Sequence, residues 1–280
     1  MQLVLQRFVL DLAEPKVMGV LNVTPDSFSD GGRYDRLDAA LARAERLVEE
    51  GAAIVDVGGE STRPGASAVS ADEEIRRVVP VIERLVSRTT VPVSVDTSKP
   101  EVMRAAVDAG AQMINDVRAL RVPGALLAAA ASGAAVCLMH MQGEPASMQS
   151  DPSYADVIAD VRAFLDARIA ACVGAGIPRD RICIDPGIGF GKLLEHNLAL
   201  LAGLAGIGDP SLPIVVGVSR KSLVGIITGR QPADRLAGSV AFAALAVARG
   251  ARIVRAHDVA ATVDAVKVAA ALRPALQGER

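Results

Sequence analysis

The chain has 280 residues, 51% of them hydrophobic, and a net charge of −2. This composition excludes a disordered chain, which combines low hydrophobicity with high net charge. The near-neutral charge argues against a nucleic-acid-binding protein, and five Phe, two Tyr and no Trp are too few aromatics for base stacking. The hydrophobic residues are mainly aliphatic and can fill a large core.

Cysteine spacing and hydropathy predict a cytoplasmic protein. Cys137, Cys172 and Cys183 form no C-x-x-C pair, so neither a disulfide framework nor a zinc site is expected. Cys137 and Cys183 lie in apolar runs and are expected to be buried thiols. Charged residues interrupt the first residues, so we expect no secretory signal. The longest uncharged apolar stretch, residues 124–139, is short of the ~20 residues that a membrane helix needs.

In chain order, residues 2–12 alternate apolar and polar and predict a β-hairpin, which we expect to close one end of the fold. Eight strands are then predicted at 17–23, 53–57, 91–95, 112–115, 135–139, 181–184, 213–218 and 252–255. Eight segments with helical periodicity are predicted at 37–50, 71–85, 100–109, 123–131, 154–172, 194–202, 235–248 and 259–272.

The strand pattern indicates the fold class. The predicted strands are nearly continuous apolar runs, which is typical of parallel strands covered on both faces. Several helices end at a glycine just before the next strand, as Gly51, Gly110 and Gly250 do. Eight βα units in this length predict a single-domain (β/α)8 barrel over residues 1–280, with the hairpin across its bottom. The alternative is a doubly wound open sheet, which uses fewer strands and a first-turn glycine fingerprint.

Polar residues follow every predicted strand, where barrel enzymes carry their chemistry. One or two such residues could merely cap the following helix, but eight of eight indicate a shared polar site at one mouth. These strand-end residues are Asn22, Asp56, Glu60, Asp96, Lys99, Asn115, Asp116, His140, Asp185, Ser219, Arg220, Lys221, Arg255, His257 and Asp258.

The chemistry of these side chains indicates a ligand with two parts. Buried carboxylates need hydrogen-bonded partners, and adjacent ring N–H and exocyclic NH₂ groups of a nitrogen-rich heterocycle match a carboxylate bidentately. Lys221, Arg255 and His257 suit an anion such as a phosphate.

Two loops add to this site. Residues 185–192, DPGIGFGK, are not a phosphate-binding Walker loop, because Pro186 stands where its first glycine belongs. Their glycines let the backbone approach a ligand closely; an ordinary flexible loop is the alternative. Residues 22–32 form a long, turn-rich loop that predicts a lid.

Other catalytic classes receive little support. No G-x-S-x-G motif is present, so a serine nucleophile is not indicated. The three histidines lack metal-binding spacing, and His196 is expected at the surface or as a helix cap. A loosely held Mg²⁺ that bridges phosphates is compatible with the sequence, because it takes only one or two protein ligands.

Four motifs resemble the dihydropteroate synthase family of bacterial folate synthesis: MGVLNVTPDSFSDGG at 18–32, DVGGESTRPG at 56–65, DPGIGFGK at 185–192 and GVSRKS at 217–222. The resemblance extends from about residue 15 to 273. It implies a pterin-binding (β/α)8 barrel, usually homodimeric. It also implies a transferase that joins 7,8-dihydropterin-6-ylmethyl diphosphate to p-aminobenzoate with Mg²⁺, releases diphosphate and is inhibited by sulfonamides.

The resemblance also implies roles for individual residues. Asn22 contacts Mg²⁺ and the diphosphate. The loops after the first two strands are expected to order over the diphosphate and build the aryl pocket, with Asp35 as a contributor from the first loop. The residues implied at the pterin are Asp96, Asn115, Asp185 and Lys221. Those implied at the diphosphate are Arg63, Arg255 and His257. Those implied around p-aminobenzoate are Thr62, Pro64, Phe190 and Ser222. Of these, Lys221, Asp96, Asp185 and Arg255 are the expected catalytic group.

The implied reaction and its alternatives differ in the motifs they need. A weak amine nucleophile and a stabilised diphosphate favour an SN1-like displacement without a covalent enzyme intermediate. A pterin-dependent methyltransferase would not need residues 61–65 or 219–222. A non-catalytic binding barrel would have lost Lys221, Arg255 or Asp185. Late helices such as 235–248 are the expected dimer surface.

Overall fold

The computed structural model describes residues 1–24, 33–61, 69–144 and 147–276, with the backbone alone at 33–36 and 273–276. Its strands are β1 Gln2–Leu5, β2 Phe8–Asp11, β3 Lys16–Asn22, β4 Ile54–Gly58, β5 Val93–Asp96, β6 Met113–Asp116, β7 Ala135–Met139, β8 Ile182–Asp185, β9 Val215–Gly217 and β10 Ile253–Ala256. Its helices are α1 Arg33–Glu49, α2 Ala71–Val86, α3 Pro100–Asp108, α4 Ala125–Ser132, α5 Val157–Gly174, α6 Leu194–Ala202, α7 Ser222–Thr228, α8 Leu236–Ala248 and α9 Val259–Leu276.

Strands β3–β10 form one parallel sheet in the order β8-β7-β6-β5-β4-β3-β10-β9. The two outer strands meet through a parallel bridge between Ile184 and Ile214, and the Ile184 amide donates to the Pro213 carbonyl at 3.0 Å. The sheet therefore closes into a barrel with the helices outside it. The predicted (β/α)8 barrel is confirmed, and the doubly wound alternative is wrong.

The barrel strands are buried because both of their faces are covered. Every residue of β4, β6, β7 and β8 is buried. Successive side chains of a strand point to opposite faces, so Val55 and Val57 of β4 pack against the helices. Ile54 and Asp56 face the barrel interior instead. This alternation decides which side chains reach the mouth.

The N-terminal hairpin supplies the floor of the barrel. Strands β1 and β2 pair antiparallel, and Leu3, Leu5 and Leu12 are completely buried. They pack against inward side chains from the lower ends of the barrel strands, among them Met18 and Ile253. The expected closing hairpin is confirmed.

The structure shows where the three cysteines lie and whether any described helix is long and apolar enough to cross a membrane. Cys137 and Cys183 lie in the same lower barrel layer, and Cys172 is also buried. The predicted buried thiols are therefore confirmed. Among the described helices, none is long and apolar enough to cross a membrane.

The structure differs from the sequence-based prediction mainly at helix ends. Helix α1 begins at Arg33 rather than at residue 37. Helix α5 begins at Val157 because the Asp156 carboxylate accepts the amides of Ile158 and Ala159 and caps it there. The seven-residue helix α7 was not predicted, since two turns are too short to show helical periodicity.

Removal of one hairpin side chain tests this floor. We expect Leu3→Ala to lower the free energy of unfolding by about 2–5 kcal/mol, because it leaves a cavity in a closed apolar layer. Val9→Ala is the matched control: Val9 lies in the same hairpin but is 60% exposed, and we expect a change below about 0.5 kcal/mol. Urea unfolding measures both, and equal losses would contradict a hairpin packed by one face only.

Candidate active site at the barrel mouth

The mouth is polar because several barrel strands carry an apolar inward side chain near the hairpin and a polar one two residues later, at the opposite end. On β4, Asp56 follows Ile54 along the inward face, and on β10, Arg255 follows Ile253 in the same way. Five barrel strands contribute such inward groups near their carboxyl ends. These groups are Asp56, Asp96, Asn115, Asp185 and Arg255. All five lie in the described part of the chain, and four of them were predicted as site residues.

The Arg255 guanidinium lies at the centre of this group. Its Nε is 2.7 Å from Asp56 Oδ2, and its Nη2 is 2.7 Å from Asp96 Oδ2. Asn115 Nδ2 also donates to Asp56 Oδ2, at 3.0 Å. Three strands are thus joined to β10 through side chains that face the barrel interior. One cation is shared by two carboxylates, so the trio carries net negative charge when both are ionised.

Two glycines leave room beside these groups. A Cβ at Gly58 would lie 3.7 Å from both Asn22 Oδ1 and Asp96 Oδ2, and one at Gly217 would lie 3.5 Å from Lys221 Nζ. Both glycines end barrel strands, where a side chain would fill the mouth. Asn22 therefore faces the same space as Asp96, from the neighbouring end of β3.

Burial changes the protonation of the carboxylates. It raises the pKa of Asp96 to about 7, against the opposing charge of Arg255, and the neighbouring Asp56 raises it further. Burial also raises the pKa of Asp185, whereas Lys221 and the Gly187 amide, which donates to Asp185 Oδ1 at 2.7 Å, lower it. Two acidic groups of the mouth therefore hold their protons more tightly than exposed carboxylates do.

Lys221 contacts the glycine-rich loop that follows β8. Its Nζ donates to the Ile188 carbonyl and lies 4.6 Å from the centroid of the Phe190 ring. Burial lowers the pKa of Lys221 to about 8, although Asp185 acts in the opposite direction. Ser222 follows Lys221 as the exposed first residue of α7. The structure thus brings together Asp185, Phe190 and Lys221, as the sequence predicted.

The segment after β10 is fixed by its neighbours. His257 Nδ1 lies 3.0 Å from Ser219 Oγ, and the His257 carbonyl accepts from Arg43 Nη2 at 2.8 Å. Asp258 is paired with Arg220 through both of its oxygens. Ser219 and Asp258 thus hold the loop at the barrel mouth and leave the His257 ring partly exposed beside it.

Several predicted residues have other positions or lie outside the described residues. Thr62, Arg63 and Pro64, the Asp35 side chain, and the part of the predicted lid at 25–32 lie outside them. Asp116 accepts the amides of Arg118 and Leu120 and so holds a turn rather than facing the mouth. His196 caps α6, since its Nδ1 accepts the Leu193 amide at 3.2 Å, as expected.

Sequence reasoning placed Asp56 at a strand end but did not choose it as a site residue. Asp56 is fully buried, and its Oδ1 accepts no hydrogen bond from the described residues. A lone carboxylate in a continuous apolar strand, two residues beyond an inward-facing Ile, was the available signal. Lys192 was also missed. It is 3% exposed although it lies in a loop, and a lysine at the end of a glycine-rich segment carries no sequence signal for burial.

Comparison with known proteins identifies the class of this barrel. The family model described as pterin binding enzyme matches residues 18–257. The chain is 51% identical over 280 residues to dihydropteroate synthase of Escherichia coli K12, covering 100% of this chain and 99% of that one. The structure of Yersinia pestis dihydropteroate synthase with a sulfonamide drug has a TM-score of 0.91 and 51% identity, covering 98% of this chain and 99% of that one. That of Xanthomonas albilineans dihydropteroate synthase with 7,8-dihydropteroate has a TM-score of 0.87 and 51% identity, with the same coverage.

The fold and the site thus define the class of this protein, which is a pterin-binding barrel enzyme. Within that class, the chain belongs to the dihydropteroate synthase family, and the resemblance found in its sequence is confirmed. The family match includes the ends of all eight barrel strands, from Asn22 to Arg255.

The raised pKa of Asp96 predicts an unusual pH dependence of stability. A carboxyl with a raised folded-state pKa stabilises the fold while protonated, and this stability is lost as pH rises through about 7. The asparagine of Asp96→Asn cannot ionise, so this variant does not lose that stability. Its unfolding free energy relative to the wild type should therefore rise by about 1 kcal/mol or more from pH 5 to pH 8. Urea unfolding at several pH values measures the difference.

Asp258→Asn is the control of opposite sign. The hydrogen bonds from Arg220 lower the pKa of Asp258, so its ionised form stabilises the fold above pH ~4. The Asp258→Asn difference should stay constant from pH 5 to pH 8 and shrink only in stronger acid. A flat Asp96→Asn difference over pH 5–8 would contradict the raised pKa of Asp96.

Proposed function

We propose that this protein condenses 7,8-dihydropterin-6-ylmethyl diphosphate with p-aminobenzoate, yielding 7,8-dihydropteroate and diphosphate in folate biosynthesis. The observation that carries the proposal is the ring of strand-end groups around Arg255 in a chain of this family. The Xanthomonas albilineans relative was solved with 7,8-dihydropteroate and the Yersinia pestis relative with a sulfonamide drug. These support the same product and the same inhibitor class for this chain.

The pterin half fits the inward carboxylates. A pterin presents adjacent ring N–H and amino donors, and a carboxylate accepts such a pair bidentately. In our proposal Asp185 and Asp96 accept these donors, and Asn115 supplies both a donor and an acceptor at the ring edge. The burial that raises the pKa of both acids also strengthens their hydrogen bonds to a ligand, because water is excluded.

The diphosphate fits the cations that face the same space. Arg255 uses Nε and one Nη2 hydrogen for Asp56 and Asp96, so its Nη1 group can donate to an anion. Lys221 precedes α7 in the segment after β9, His257 directly follows β10, and Arg63 would add a further cation from the loop after β4. The leaving group departs with its negative charge, and preorganised cations stabilise that charge as it develops.

The proposed mechanism is dissociative. p-Aminobenzoate is a weak neutral nucleophile, so much of the barrier must be lowered by assisting departure of the diphosphate. The pterin ring can delocalise positive charge from its CH₂ group, and the ionised Asp96 and Asp185 would stabilise that charge. The amine then attacks the CH₂ carbon, and its proton passes to the released diphosphate. Because no enzyme nucleophile takes part, a ping-pong kinetic pattern would contradict this mechanism.

The p-aminobenzoate half would lie against Phe190 and Ser222. The Phe190 ring is partly buried beside Lys221, so it offers an aromatic face at the rim of the pterin slot. The resemblance assigns Thr62 and Pro64 to the same half of the site, and both lie outside the described residues.

Magnesium is the proposed cofactor. Among the described residues, no group of three or more His, Cys, Asp or Glu could hold a metal ion. Asn22, however, offers a carboxamide oxygen toward the mouth beside Asp96, and Mg²⁺ often takes one or two protein oxygens plus substrate phosphates. These residues fit a metal that arrives with the diphosphate. When bound, it would neutralise charge on the leaving group.

We also propose a homodimer in the cytoplasm. The three last helices carry large exposed apolar side chains, and the predicted dimer segment 235–248 contains α8. These side chains are Ile226, Ile227, Leu236, Leu245, Val268 and Leu272. Sedimentation velocity should give a dimer for the wild type and a shift toward monomer for Leu245→Glu. A monomeric wild type would contradict the dimer.

The proposed activity is tested by mixing the purified protein with the pterin diphosphate, p-aminobenzoate and Mg²⁺ and measuring dihydropteroate. We expect Lys221→Ala and Asp185→Asn to lower kcat/KM by about 10²–10³-fold, as loss of one preorganised group does. Surface variants Lys267→Ala and Asp234→Asn remove matching charges from exposed positions and should keep full activity. Full activity of both site variants would overturn the site assignment, and an inactive wild type would overturn the function.

The role of Asn22 is tested separately. Asn22→Ala should raise the Mg²⁺ concentration for half-maximal activity by about tenfold, which corresponds to losing one ligand interaction of about 1.4 kcal/mol. Excess Mg²⁺ should restore most of kcat, because the phosphates keep their share of the coordination. An unchanged Mg²⁺ requirement would remove Asn22 from the metal site.

A further inference from the structure

All five consecutive carbonyls of the glycine-rich loop accept a hydrogen bond from a side chain. Gly187, Gly189 and Gly191 have φ values of +68°, +82° and +61°, so the loop follows a path that favours glycine at alternate positions. The donor–carbonyl pairs are Lys192 to Gly187 and Phe190, Lys221 to Ile188, Gln149 to Gly189 and Tyr154 to Gly191. The loop is therefore held in one shape by elements on both sides of it.

Lys192 is the donor with most contacts in this set. Its Nζ lies 2.9 Å from the Gly187 carbonyl, 3.0 Å from the Phe190 carbonyl and 2.9 Å from His140 Nδ1. Burial lowers the pKa of His140 to about 3, so the ring is neutral and its Nδ1 can accept. All three ammonium hydrogens thus have an acceptor.

The burial of this side chain calls for an explanation. Lys192 is 3% exposed, and none of the ion pairs found among the described residues involves it. Burial lowers its pKa to about 7, with Asp185 acting the other way. Burying an ammonium without a carboxylate partner costs desolvation free energy, and an apolar side chain of the same length would avoid that cost. The three acceptors around the ammonium therefore indicate that its hydrogen bonds to the loop have a role.

We propose that Lys192 is a positioning residue for the p-aminobenzoate half of the site. Its ammonium links the first and fourth carbonyls of the loop, Gly187 and Phe190, and thereby fixes where the Phe190 ring lies. Phe190 then faces the aryl substrate. This inference rests on the proposed function, because it assigns Phe190 to the aryl pocket.

The pterin groups on the barrel strands do not depend on this linkage. Asp96 and Asn115 are opposite one another in the β5–β6 ladder, and Asp185 is opposite Met139 in the β7–β8 ladder. Their backbone positions are set by strand pairing, whereas Phe190 lies on a loop that only side chains fix. Loss of Lys192 should therefore affect the two substrates unequally.

The test is Lys192→Met, which keeps the chain length and removes the ammonium. We expect the KM for p-aminobenzoate to rise at least tenfold. The Kd of the pterin diphosphate, measured by calorimetry without p-aminobenzoate, should change less than threefold. Lys192→Gln keeps two N–H donors and should restore part of the loss. Tyr154→Phe is the matched control: it removes one hydrogen bond to the same loop, at Gly191, and should leave both constants within twofold.

The outcomes separate the possibilities. If Lys192→Met leaves the KM for p-aminobenzoate unchanged, or weakens both substrates equally, the positioning role is overturned. If circular dichroism shows that Lys192→Met does not fold, Lys192→Gln is tested instead. Its change in the KM for p-aminobenzoate is then compared with its change in the Kd of the pterin diphosphate. A wild type that makes no dihydropteroate overturns the proposed function. An active wild type together with a Lys192→Met variant whose KM for p-aminobenzoate is unchanged overturns this inference alone.

Discussion

The Arg255 guanidinium, shared between Asp56 and Asp96, is the interaction on which the mouth of the barrel depends. Without a cation between them, two buried carboxylates facing one space would repel each other. With it, part of their negative charge is compensated, and Asn115 joins the group through Asp56. An arginine meets this need because its planar group bonds two carboxylates at once and stays protonated when buried.

The rest of the fold confines this polar cluster to one end of the barrel. The hairpin closes the opposite end with leucines, and on β4, β6, β8 and β10 the inward residue changes from apolar to polar one pleat higher. Water is excluded from below, so the field of the carboxylates and cations is directed to the mouth. Gly58 and Gly217 end their strands without a side chain of their own that would enter the space between those charges. A flat ligand with donors on one edge and an anionic arm matches both halves.

Much of this could be predicted from sequence because barrel geometry is repetitive. Strand periodicity and the glycines between units predicted eight strands and one polar mouth, and Asp96, Asn115, Asp185, Lys221 and Arg255 do lie there. What could not be predicted depends on contacts between distant segments. Asp56 becomes a site residue only because Arg255, 199 positions later, points at it. Lys192 is buried only because His140, 52 positions earlier, lies beside the loop. Helix α7 is too short to have a periodic signal of its own.

The central claim is that Arg255 and Asp56 stabilise each other at the mouth, and a double-mutant cycle in unfolding free energy tests it most directly. Arg255→Met alone should cost about 3–5 kcal/mol, because it leaves a buried carboxylate without its cation. The double variant with Asp56→Asn should be more stable than the sum of the two single changes predicts, by about 2 kcal/mol or more. Additive losses, with a coupling energy below about 0.5 kcal/mol, would contradict the account.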